Sequence, residues 1–144
     1  MLFEPGGVRM LTAGQVATRS LCVRDEIVRG FAELLGDRNP IHLDDDFAKH
    51  SRFGQRIAHG MIAASLISAV LGNDLPGPGT VYLSQSLQFV APVFIGDTLE
   101  ARVQVLTIKD RKPIATLETV CTNQRGEVVL KGEAIVLFKL PDAA

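Results

Sequence analysis

The sequence predicts an α+β domain in which a curved antiparallel sheet wraps one central, buried helix. Three observations lead there. Met61–Leu71 (MIAASLISAVL) is an apolar run broken only by Ser65 and Ser68, so a helix over it should be buried all round. From Val81 onward, short segments of alternating apolar residues follow one another with turn signals between them. Ahead of the apolar run lies one clear amphipathic helix and a polar turn. One buried helix followed by consecutive strands packs as a sheet against a helix.

Taken in order, residues 1–12 show no sustained periodicity and read as a loose arm. Gly14–Val23 alternates weakly and reads as a strand. Asp25–Leu35 has helical spacing, with Ile27, Val28, Phe31, Leu34 and Leu35 on one stripe, Asp25 in the first turn and Gly36 as the stop. Asp37–Leu43 (DRNPIHL) reads as a turn or loop, because Pro40 biases Asn39 toward extended geometry. Asp44–Lys49 reads as a short helix with acidic residues at its start. After the buried helix, Asn73–Gly79 (NDLPGPG) links two structured segments of one domain.

The strand signals then follow. Val81, Leu83, Leu87 and Phe89 alternate, as do Leu99, Ala101, Val103 and Val105, and then Ala115, Leu117, Thr119 and Cys121. Val128–Phe138 closes the chain as a long apolar-rich strand, and Gly96-Asp97 and Gln124-Arg125-Gly126 mark turns. The expectation is a single domain over residues 1–144 with the wrapped-helix architecture of a hot-dog fold.

Composition excludes several classes. The 144 residues suit one domain with a real core, and 47% apolar against 22% charged residues is globular composition. The net charge is −1, and no basic block stands out, so nucleic acid has no electrostatic footprint here. The opening MLFEPGGVRM lacks the pattern of a secretion signal, and the longest apolar run is too short to span a membrane. A soluble, cytoplasmic protein is expected. Cys22 and Cys121 form no motif and read as two buried free thiols, with a single disulfide as the alternative.

The polar residues that need explaining lie in Gly36–His42 (GDRNPIH) and Ile57–Gly60 (IAHG). Asp37 and His42 flank Asn39-Pro40, and a turn there can fold a carboxylate and an imidazole onto one water molecule. Such a pair moves protons in both directions near neutral pH. Gly60 opens the buried helix, where free N–H groups and the helix dipole favour developing negative charge. The plainer reading stands beside this one. Asp37 can simply bond its own turn, and a lone histidine near an apolar segment is more often structural.

The ordered set of residues adds a resemblance. Gly36–Gly60 (GDRNPIHLDDDFAKHSRFGQRIAHG) resembles the signature of the MaoC-like dehydratases, and within them the (R)-specific enoyl-CoA hydratases. The likeness continues through Leu75-Pro76-Gly77, Tyr82-Leu83, Gln85-Ser86-Leu87, Ala91–Phe94, Gly96-Asp97 and Lys112–Thr116, from about Arg24 to Leu140. It implies that Asp37 and His42 hold a catalytic water and that the Gly60 N–H binds a thioester carbonyl. Asn39 would orient the Asp37–His42 loop or serve only the turn. The implied reaction is hydration of 2-enoyl-CoA to (R)-3-hydroxyacyl-CoA by a hydro-lyase, with no metal or cofactor beyond the coenzyme A of the substrate. A homodimer is implied too, with polyester supply or fatty-acid breakdown left open as the pathway.

Other residues carry weaker readings. Gly60, Ala64, Ser68 and Leu71 recur at helical spacing. An acyl chain could lie along them with Ser68 and Leu71 setting its depth; the alternative reading is that the small residues serve only close packing of helix on sheet. His59 reads as a structural residue where the helix begins, His50 as solvated, and Asp44–Asp46 as helix-start capping and not a metal cluster. Lys109, Arg111 and Lys112 read either as a solvated hairpin tip or as contacts for coenzyme A phosphates. Two other functions remain open: a hot-dog thioesterase and a non-catalytic acyl-CoA-binding subunit. If the stripe sets depth, Leu71→Ala should lengthen the acyl chain accepted, read as turnover against a series of enoyl-CoA lengths.

Overall fold

The computed structural model describes residues 10–139, so most of the arm expected over residues 1–12 lies outside the described residues. The chain runs β1 (Val16–Cys22), α1 (Asp25–Leu35), α2 (Pro40–Leu43), α3 (Asp45–Lys49) and α4 (Gly60–Asn73). It continues through β2 (Val81–Gln85), β3 (Gln88–Phe89), β4 (Thr98–Ile108), β5 (Ile114–Thr122) and β6 (Val128–Leu137). The strands form one six-stranded antiparallel sheet in the order β1-β4-β5-β6-β2, with β3 also paired to β6. Helix α4 lies against β4, β1 and β5, which is the predicted α+β arrangement.

The period-2 pattern explains the core. Leu99, Ala101, Val103 and Val105 of β4 are buried, as are Ala115, Leu117, Thr119 and Cys121 of β5. Strand register joins them into rows across the sheet: Ala101–Cys121–Leu130, Val103–Thr119–Gly132 and Val105–Leu117–Ala134. Against these rows α4 presents Ile62, Ala63, Leu66, Ile67, Val70 and Leu71, all buried. Full burial of each large apolar side chain contributes roughly 1.5–3 kcal/mol.

Several expectations need correction. Helix α4 is not buried all round, because Met61, Ser65, Ser68 and Gly72 line an exposed strip. The α1 stripe is only half used: Val28 is fully buried, whereas Leu34 and Leu35 at the end of the helix are 84% and 68% exposed. The segment 81–89 is two strands, not one, with Val81, Leu83 and Phe89 exposed. Pro40 starts α2 instead of preventing it, as detailed below. Cys22 is exposed; Cys121 is buried and free, its thiol pushed up to about 12 by burial.

The break between β2 and β3 is built around Ser86. Its N–H donates to the Glu133 carbonyl at 2.9 Å, and the Glu133 N–H donates to Ser86 Oγ at 2.9 Å. That brings the Ser86 carbonyl against Gly132 on β6, where any Cβ would overlap its oxygen. Close approach, and not backbone flexibility, fixes glycine at this point. Gly132→Ala should therefore destabilise the fold by about 1–3 kcal/mol, the usual cost of forcing extra volume into packed structure. Urea unfolding checks this; an unchanged midpoint would mean that the Ser86 segment moves freely aside.

Candidate active site

Helix α1 stops at Gly36, whose φ of 82° is left-handed and whose N–H donates to the Ala32 carbonyl. The chain then turns through Asp37-Arg38-Asn39. The Asn39 side chain accepts from the Ile41 N–H at 3.1 Å, making it the N-cap of α2, and Pro40 takes the first helical position. Proline fits there because its missing N–H would have no helical partner anyway. One turn of helix carries the chain inward, so exposed Asp37 is followed by buried His42. The Asp37 carboxylate accepts from the Asn39 N–H, but at a long 3.4 Å. The plain turn role is thus present and weak.

His42 is fixed by the loop that precedes α4. Its Nδ1 lies 2.7 Å from the Ile57 carbonyl oxygen, which only accepts, so Nδ1 carries the proton and donates. In the neutral ring Nε2 then keeps its lone pair. The Ile57 N–H in turn donates to the Ile41 carbonyl at 3.2 Å, and the Ala58 N–H to the Val93 carbonyl at 2.7 Å. Burial, the largest influence, pulls the His42 value below that of a free histidine. The Ile57 carbonyl opposes it, the neighbouring His59 reinforces it, and Asp37 opposes it.

Arg56 secures the same region from behind. Its guanidinium, only 11% exposed, donates to Asp25 Oδ1 of α1 from both Nη1 and Nη2 at 2.9 Å. It also donates to Asp45 Oδ1 of α3 at 2.9 Å and to the His42 carbonyl at 3.1 Å. One planar fork thereby ties α1, α2 and α3 together. Nothing in local sequence pattern signals this, because the partners lie 31, 11 and 14 residues away.

His59 sits at the N-cap position of α4, at 2% exposure. Its ring stacks on His42 with centroids 3.9 Å apart. The best available donor atoms of Asp37, His42 and His59 all lie within 4.8 Å of one another. One carboxylate and two imidazoles are also a donor set suited to a metal ion, and they are the same groups that would hold a water.

His42 and Gly60 both line a cavity of about 560 Å³. Its other walls are largely apolar, including Phe53, Ile57, Met61, Phe89 and Val93. Gly60, the first residue of α4, meets Phe89 so closely that a Cβ would lie 2.8 Å from the Phe89 ring. No side chain caps this helix start, leaving first-turn N–H groups available at the cavity. A helix of 14 residues also brings its dipole to that point.

Of the predicted site residues, the fold brings together Asp37, His42 and Gly60, with Asn39 holding the turn between the first two. Ser68 and Leu71 do not line the cavity; Ser68 is exposed and Leu71 belongs to the core at 2% exposure. Shortening Leu71 would carry the cost of a buried leucine, about 2–5 kcal/mol, so thermal stability must be measured beside any chain-length profile. Asp44 caps α3 through the Phe47 N–H at 3.1 Å, and Asp45 serves Arg56, so these two carboxylates have structural partners. His50 is exposed, its Nδ1 at 2.8 Å from the Asp46 carbonyl. Lys109, Arg111 and Lys112 are exposed on the β4–β5 connection.

Comparison with known proteins finds relatives that cover most of the chain. A family model described as "MaoC like domain" matches residues 11–125. A "3-hydroxybutyryl-CoA dehydratase" of Methylorubrum extorquens is 56% identical over 109 residues, 76% of this chain and 69% of that protein. The "(R)-specific enoyl-CoA hydratase" of Aeromonas caviae is 47% identical over 131 residues, 91% of this chain and 96% of its own length. The solved (R)-hydratase of A. caviae, described as involved in PHA biosynthesis, superposes with a TM-score of 0.87 at 46% identity, covering 90% of this chain and 98% of that one. An unliganded R-hydratase of Pseudomonas aeruginosa gives 0.85 at 40% identity, covering 93% and 88%.

The His42 environment makes a direct prediction. Its imidazole should titrate below the ordinary histidine value of about 6.5. Because the shift is downward, the ring stays neutral on lowering the pH until that lower value is crossed. A histidine NMR titration checks this, and a midpoint at or above 6.5 would contradict the burial argument.

Proposed function

Because the chain belongs to the MaoC-like domain family, we propose that it is a hydro-lyase that adds water to trans-2-enoyl-CoA to give (R)-3-hydroxyacyl-CoA, and that it runs the reverse dehydration. The observation that carries this reading is that His42 and Gly60 line one apolar cavity, with a carboxylate oxygen of Asp37 within 4.8 Å of a His42 ring nitrogen. Hydration of an enoyl thioester needs an electrophilic carbonyl, a water activated beside C3 and a proton delivered to C2. Those are the demands that an N–H donor and a paired carboxylate and imidazole meet.

In this reading the thioester carbonyl oxygen accepts from the Gly60 N–H at the start of α4. Water donates its two hydrogens to the Asp37 carboxylate and to His42 Nε2. Its oxygen bonds C3, the C2=C3 electron pair moves toward the carbonyl, and negative charge gathers on the oxygen facing the helix N-terminus. The proton released from water passes to the Asp37/His42 pair and returns to C2, so the pair ends as it began. Delivery of both parts of one water from one side makes the addition syn. No redox cofactor or metal enters the balance, and coenzyme A arrives as part of the substrate.

The apolar walls suit the acyl chain, and Phe53, Met61 and Phe89 would contact its first carbons. Ser68 and Leu71 enter only for an acyl chain that passes beyond this cavity. Asn39 acts through the loop it caps. The reading also takes the chain as one catalytic domain working in the cytoplasm as a homodimer. Supporting the dimer, the single chain exposes Val81 and Leu83 of β2, apolar side chains outside the proposed acyl site that a second copy would cover. Among the described residues, no helix is long and apolar enough to cross a membrane.

Crotonyl-CoA provides the test. Absorbance of the conjugated thioester should fall on adding the protein, without release of free thiol. Asp37→Asn should lower the rate by about 10²–10⁴, the usual worth of a positioned acid or base. Thiol release in place of hydration would point to a thioesterase, and no reaction across short and longer enoyl chains would leave only a binding protein.

A further inference from the structure

We infer that His59 is a positioning residue, which holds the Asp37 backbone, the His42 ring and the first turn of α4 in one frame. The inference rests on the hydratase reading for its kinetic consequences, and on geometry alone for its structural content.

A helix N-cap residue ordinarily turns its side chain back to the free N–H groups of its own helix. His59 does not, for its side chain makes no cap hydrogen bond. Instead its Nε2 lies 2.9 Å from the backbone carbonyl oxygen of Asp37, 22 residues earlier in the chain. A carbonyl oxygen only accepts, so Nε2 carries the proton and donates. The turn that carries the Asp37 carboxylate is thus tied through its backbone to the residue just before Gly60.

The ring faces do the rest. On one contact lies the His42 ring, centroids 3.9 Å apart and planes at 30°; on another lies Phe31 of α1, at 4.7 Å and 49°. His42 can pivot about its Ile57 hydrogen bond, and the stacked His59 ring restrains that pivot. His59 is itself almost wholly buried, so it has little room to move.

The remaining nitrogen decides between this role and simple packing. Nδ1 is buried with no hydrogen-bond partner among the described residues. An apolar ring would fill the same space without leaving a polar atom unsatisfied. What the imidazole adds over such a ring is the Nε2–H bond to the Asp37 carbonyl. The two histidines therefore donate from opposite ring nitrogens, Nδ1–H in His42 and Nε2–H in His59.

Two measurements test the inference. Long-range proton–nitrogen NMR of the wild-type protein reads each tautomer directly and needs no activity. The expected result is Nε2–H at His59; Nδ1–H there would overturn the inference, whatever reaction the protein catalyses. The second compares His59→Phe with His59→Gln on crotonyl-CoA. Phenylalanine keeps a ring for the stack but loses the donor, whereas the glutamine amide nitrogen is as many bonds from the backbone as Nε2 and keeps it. The phenylalanine variant should fold with a similar thermal midpoint and KM but lose kcat by about tenfold to a hundredfold, the scale of a misplaced catalytic group. Glutamine should recover most of that loss. A phenylalanine variant with wild-type kcat, or losses in both variants that vanish once corrected for folded fraction, would reduce His59 to packing. Absence of hydration by the wild-type protein would sink the functional reading and leave the tautomer result to stand by itself.

Discussion

Everything in this molecule depends on keeping α4 out of water. Among its 14 residues are Ile62, Leu66, Ile67, Val70 and Leu71, none of which the rest of the helix could shield. Among the described residues, the main apolar surface that meets them is the inner face of the sheet, where the rows from β4, β5 and β6 meet. A register slip of one residue in any of those strands would turn the row outward and leave α4 uncovered. Strand pairing and helix position are therefore one constraint. The chemistry inherits it, since the N-terminus of α4 is held wherever the core holds the helix.

The polar groups around that N-terminus are arranged by a second, smaller scaffold. Arg56 reaches α1 and α3 through two carboxylates and α2 through the His42 carbonyl. Ile57 grips α2 from the other direction, giving its N–H to Ile41 and its carbonyl to His42. Two adjacent residues ahead of a buried helix thus fix a short polar segment that has almost no core of its own. Charge pairs of this exposure add little to overall stability. Their value lies in direction: the guanidinium fork has one geometry, and α2 is held in the orientation that faces His42 toward the cavity.

Much of this was legible from pattern, and the limits fall where pattern has no hold. The strands β4 and β5 and helix α1 follow from period 2 and period 3.6 because burial on one face is what those periods record. Helix α2 is too short to show a period, so Pro40 reads as a barrier; Asn39 ahead of it converts the same proline into a helix start. Leu34 and Leu35 continue the α1 stripe in sequence, but the helix ends beyond the reach of the sheet, and they stay in solvent. Asp37, His42 and Gly60 stand out in the sequence by residue type and spacing. Arg56 and the Ser86–Gly132 contact do not, since both depend on partners distant in the chain. His59 is visible as the residue that begins the helix, but its bond to the Asp37 carbonyl is a product of the fold.

In the reaction proposed, the hydrogen bond from His42 Nδ1 to the Ile57 carbonyl also governs how the site resets. A ring tied at one nitrogen has a single nitrogen left for exchange, so a proton taken there must leave from there. No tautomeric shuffle separates one turnover from the next, and the forward and backward journeys share one track. In the reaction proposed, such a site carries no preference for making or removing the alcohol. The direction of flux is then set by the relative abundance of alkene and alcohol around the protein, with the fold supplying only speed.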